Sequence, residues 1–118
     1  MSDAIEWMIE LSISAGHEKE IEKLLNGMAT VIQAQETGTE VWSWSRSEDG
    51  KTVSVHERYS DENAVMTHLT NFGEFADRFL AALTPKRFIV LADPSSKLRE
   101  ALAGFGPTYF VPKGGFAR

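Results

Sequence analysis

With 118 residues, 42% of them hydrophobic and 25% charged, the chain suits one globular domain spanning 1–118, with a core that needs no covalent staple. A net charge of −5 without any lysine or arginine block argues against nucleic acid or anionic membrane as the main partner. Zero cysteines exclude disulfides, thiolate metal sites and cysteine nucleophiles. The start MSDAIEWMIE places acids where a secretion signal would carry basic residues, and no apolar run approaches the roughly 20 residues of a membrane span. The expected location is the cytoplasm.

Residues 4–13 alternate: Ile5, Trp7, Ile9, Leu11 and Ile13 share one face, which predicts a strand. Ser14-Ala15-Gly16 breaks it. From His17 to about Gln35 the period becomes helical, with Ile21, Leu24, Leu25, Met28, Val31 and Ile32 on one stripe. Gly27 weakens that helix and is read as a mark of close contact. Thr37-Gly38 ends it. Residues 39–46 form a second strand with Trp42, Trp44 and Arg46 on one face, and 51–59 return as a third. Asp49-Gly50 signals a hairpin between them. A three-residue loop with Gly50 left-handed sets Trp42 opposite His56. A shift of one residue sets both tryptophans on the Glu57/Tyr59 face instead.

Ser60 or Asp61 caps a second helix, whose stripe is Val65, Leu69, Phe72, Ala76, Phe79 and Leu83. At 100° per residue His68 lies on the flank holding Phe72, Phe75 and Phe79. Thr84-Pro85 ends this helix. Residues 86–92 read as a fourth strand, apolar enough to be covered on both faces. Asp93-Pro94 starts a short helix that runs to about Ala103, and Thr108–Val111 forms a last strand. The order strand, helix, strand, strand, helix, strand is that of an α+β, ferredoxin-like split βαβ with an antiparallel sheet. Its two helices cover one face. Apolar residues on the other face, with Trp7, Trp42 and Trp44 counted among them, predict a homodimer.

Glu57-Arg58-Tyr59, Asp61, Ala64 and His68-Leu69 read together as ERYxDxxAxxxHL. This stretch resembles the antibiotic biosynthesis monooxygenase superfamily of dimeric α/β barrels. Asp93-Pro94 and the tail through Tyr109-Phe110 to Gly115-Phe116 are similar to one branch of it. The resemblance implies a cavity between the sheet and the second helix. It also implies oxygenation of a small electron-rich aromatic, a quinol or anthrone, without metal or other cofactor. Such chemistry needs a base, an apolar clamp and donors to an anion. His68 is the leading base, with Glu57 its rival if it faces inward. Tyr59, Asn71 and Arg58 are the donors, and Trp42, Trp44, Phe72 and Phe75 the clamp.

Plainer readings stand beside these. His68 as a structural histidine, the tryptophans as core or interface residues, and Glu57 as an ion-pair partner of a neighbouring strand all fit the pattern. Three scattered histidines do not make a metal site. A non-catalytic small-molecule-binding or stress-related protein and a haem-binding relative are the alternative functions.

Overall fold

Alternation along the first strand puts Ile5, Trp7 and Leu11 on the buried side of the sheet, and everything else is laid against that side. The structure is a computed structural model that describes residues 3–118; Met1 and Ser2, part of the stretch read above for a secretion signal, lie outside the described residues. The first strand, β1 (Ile5–Ile13), is central. It pairs antiparallel with β3 (Thr52–Tyr59) on one side and with β4 (Leu83–Leu91) on the other. β2 (Thr39–Arg46) flanks β3, and a short β5 (Thr108–Tyr109) runs parallel to β4. The resulting order, β2-β3-β1-β4-β5, is the ferredoxin-like order with one strand added at the edge, and the sheet stays open.

Four helices lie on the Trp7 side: α1 (Ile21–Gln35), α2 (Glu62–Phe72), α3 (Ala76–Ala82) and α4 (Ser96–Leu102). The α1 stripe of Ile21, Leu25, Met28 and Ile32 packs with Leu11, Val53 and Val55. Val65 of α2 and Leu98 and Leu102 of α4 pack around Ile5, Trp7, Tyr59 and Val90. None of the described helices is long and apolar enough to cross a membrane.

Several local expectations are corrected. The helix α1 begins at Ile21, because two turns precede it, Ser14 to His17 with Gly16 at φ 85°, and His17 to Glu20. Gly27 marks no close contact, since a Cβ there would meet nothing within 4 Å. The second predicted helix is two helices, broken at residues 73–75 where the Gly73 N–H turns back to the Thr70 carbonyl. β4 starts at Leu83 and carries Pro85 at the irregularity where its register with β1 shifts, a place that tolerates a missing N–H. Ser95, not Asp93, caps α4: its hydroxyl accepts from the Leu98 N–H, while Asp93 pairs with Arg99 at 2.8 Å. The last strand stops at Tyr109.

The hairpin register is the shifted one, with Gly50 left-handed (φ 77°), Trp42 opposite Glu57 and Trp44 opposite Val55. Both tryptophans therefore face the helices, and Trp7 is only 3% exposed. The open face carries none of the three. Met8, Ile89 and Leu91 lie there, beside Glu6 bonded to His56 and Arg58. β4 is thus fully covered on one face, by Phe88 and Val90, while Leu91 is exposed on the other.

Candidate functional site

A glycine brings the end of α1 against the start of α2. A Cβ on Gly38 would sit 2.6 Å from the Cβ of Ala64, so only glycine allows this crossing. The Gly38 carbonyl accepts from the Ser60 N–H (2.9 Å), and Asp61 caps α2 by accepting from the Ala64 N–H (2.9 Å). The crossing sets Glu36, the residue closing α1, beside His68 on the second turn of α2.

A buried polar chain results. His68 lies between two carboxylates: Nδ1 is 2.9 Å from Glu36 Oε1, and Nε2 is 3.2 Å from Glu57 Oε1. Thr39 Oγ1 (2.8 Å) and Asn71 Nδ2 (3.3 Å) donate to Glu36, and the Tyr59 hydroxyl donates to Glu57 Oε1. Glu36, Glu57 and His68 are all buried. Two facing acceptors are satisfied together only by a doubly protonated ring. Burial alone would lower the His68 pKa, but hydrogen bonds to Glu36 and Glu57, and their charges, outweigh it and raise it to about 9. Burial also opposes charge on Glu36, yet the bond to His68 and its charge, with the Thr39 and Asn71 bonds, leave its pKa below the ordinary value. Burial, then the neighbouring Glu57, raises the Tyr59 pKa and keeps the phenol protonated. At neutral pH the chain reads tyrosine, carboxylate, imidazolium, carboxylate.

A cavity of about 60 Å³ opens against Glu57 and His68. The rest of its wall is apolar: Trp7, Ile9, Leu69, Phe72, Phe79, Phe88, Leu102 and Phe105. Among the described residues nothing donates a hydrogen bond to Glu57 Oε2. Of the predicted site residues, His68, Glu57 and Phe72 line this space. Tyr59 stands behind it, fully buried against Trp7 and His68. Asn71 is turned to Glu36. Trp42 and Trp44 pack in the α1 half of the core, with Trp44 Nε1 donating to Asn26 (2.9 Å). Phe75 packs there too, beneath Arg78. Arg58 lies on the open face with Glu6 and Glu40. Sequence reasoning missed Glu36. Its signal was an acid at a helix carboxyl end, where the dipole disfavours it.

The sequence profile of the antibiotic biosynthesis monooxygenase family matches residues 4–84. The chain belongs to this family. No curated protein matches it significantly in sequence. Among solved structures it is similar to MupZ from Pseudomonas fluorescens, with a TM-score of 0.86 and 22% identity over 99% of this chain and 96% of that one. It is also similar to Rv0793 from Mycobacterium tuberculosis (TM-score 0.66, 20% identity, 79% and 97% covered). A third is SnoaB from Streptomyces nogalater, described as a cofactor-independent oxygenase (TM-score 0.65, 15% identity, 80% and 97% covered). At these identities the likeness is one of fold. It puts this antibiotic biosynthesis monooxygenase family member, with its buried Glu–His–Glu chain, among proteins built on the same frame.

Proposed function

We propose that the chain is a cofactor-independent monooxygenase acting on a small electron-rich aromatic. The observation that carries this reading is a carboxylate–imidazolium pair, Glu57 and His68, facing an otherwise apolar cavity. A phenolic hydroxyl entering there donates to Glu57, whose Oε2 is free to take the proton. Tyr59 and His68 hold the other oxygen of Glu57 and fix its direction. The raised pKa of His68 gives it a proton at neutral pH, so the role of base passes to Glu57, and His68 supports the phenolate as a cation.

The phenolate then passes an electron to O₂. A C–O bond forms at the ring carbon para to the hydroxyl, the O–O bond breaks and that carbon loses its hydrogen. Phenol plus O₂ gives benzoquinone plus water, so the substrate supplies every electron. SnoaB, described as cofactor-independent, supports this economy of parts. General-base catalysis contributes on the order of 10²–10⁴-fold. Oxygen uptake with a panel of phenols, quinols and anthrones should therefore fall about 100-fold or more in Glu57→Gln. No uptake on any substrate, or an unchanged rate, contradicts the reading.

One observation favours a second reading, a binding protein without turnover: the His68 ring is satisfied on both nitrogens, as a structural network would have it. The same fact counts against a haem-binding relative, because neither nitrogen keeps a lone pair for iron. For the partner we propose a second copy of the chain, docked on the open face through Met8, Ile89 and Leu91 beside the hydrogen-bonded Glu6–His56–Arg58 group.

A further inference from the structure

We infer that Phe105, backed by Leu102, forms the entrance of this cavity and sets the size of ligand it admits. The inference rests on the aromatic-ligand reading above for the nature of the ligand, but not for the position of the entrance. At about 60 Å³ the space is well under the roughly 150 Å³ of a cavity that holds benzene. A ring enters only if part of the wall moves. Trp7, Phe79, Phe88 and Leu102 are buried in the core, and His68 and Glu57 are fixed by their bonds. Ile9, Leu69 and Phe72 are half-buried, and Phe105 is the most open residue of the wall, 40% exposed. Its ring has one aromatic neighbour, Phe88, met edge-on at 6.3 Å.

Local backbone points the same way. Phe105 ends a single 3-10 turn, Ala103–Phe105; it lies between Gly104 and Gly106, and Gly106 is left-handed at φ 65°. A single turn of this kind opens at less cost than the core strands. Leu102 and Phe105 also lie beyond the family match, which ends at residue 84. With Phe88 of β4, they are the wall residues that the carboxy-terminal part of the chain supplies to the cavity. The proposed chemistry sits at Glu57 and His68, inside the family match, whereas the size limit sits beyond it.

The test uses the full chain with Phe105→Ala and Phe105→Trp, titrated calorimetrically with phenol and 1-naphthol and probed with dissolved xenon by NMR. In the natural chain phenol is expected to bind about tenfold or more tightly than 1-naphthol, a difference typical of steric discrimination in an apolar pocket. Phe105→Ala should erase or reverse that ratio, and Phe105→Trp should weaken both ligands. An unchanged ratio in Phe105→Ala overturns the inference. If neither phenol binds, but xenon uptake rises in Phe105→Ala and falls in Phe105→Trp, the entrance stands and the aromatic reading fails. Absence of phenol binding together with xenon uptake indifferent to residue 105 overturns the inference as well. Thermal melts matching the natural chain show that each variant folds.

Discussion

Replacing Glu36 by glutamine tests the buried chain at the residue that holds His68 charged. In the folded protein the His68 pKa is raised from 6.5 to about 9, so the native state keeps a proton that the unfolded state releases first. The resulting stabilisation is complete below pH 6.5 and is lost as pH rises through about 9. At about 1.4 kcal/mol per pH unit the whole effect is about 3 kcal/mol, of which about 2 kcal/mol is gone by pH 8. Urea unfolding of the natural chain between pH 6 and pH 9 should show this decline. Glu36→Gln removes one of the two charges that raise the pKa. It should cost about 1.5–3 kcal/mol at pH 6, as for a hydrogen bond to a charged group, and flatten the decline. With only His17, His56 and His68 in the chain, NMR titration of the ring resonances reads the pKa directly. A His68 that titrates at or below 6.5, or stability that does not fall across this range, would refute the reasoning.

Gly27→Ala should stabilise the chain by about 0.5–1 kcal/mol, because its Cβ meets nothing and the helix gains propensity; a lower urea midpoint would contradict this. Gly38→Ala should destabilise it by about 1–3 kcal/mol through the clash with Ala64, and the His68 resonance should move with it as Glu36 is displaced. Light scattering at micromolar concentration should give twice the chain mass of 13.1 kDa, whereas a monomer would remove the open-face dimer.

Much of the frame was legible because period and pairing order are local signals. The alternation of Ile5 through Ile13 and the stripe from Ile21 to Ile32 fix which faces are buried, and the element order then selects the sheet. The site was legible only in part. Helical spacing put His68 on the aromatic flank of its helix, and strand parity separated Glu57 and Tyr59 from His56 and Arg58. The tryptophans depended on a one-residue choice of hairpin register, which nothing local decides. Glu36 is 32 residues from His68, and the two meet only because Gly38 lets α1 end against α2. That is a fact of tertiary packing, hinted at only by an acid at the wrong end of a helix. Pro85 misled for a related reason: a residue that stops a helix is also tolerated where a strand's register slips.

The central claim is that Glu57, beside a protonated His68, takes the proton of an aromatic hydroxyl inside the cavity. The absorption spectrum of bound 4-nitrophenol tests it most directly, since the phenolate absorbs in the visible and the neutral phenol does not. Measured at a pH where the free ligand is neutral, the natural chain should bind it with the phenolate band, and Glu57→Gln should bind it with the neutral spectrum. A neutral spectrum on the natural chain, or a phenolate band that survives in Glu57→Gln, would contradict the account.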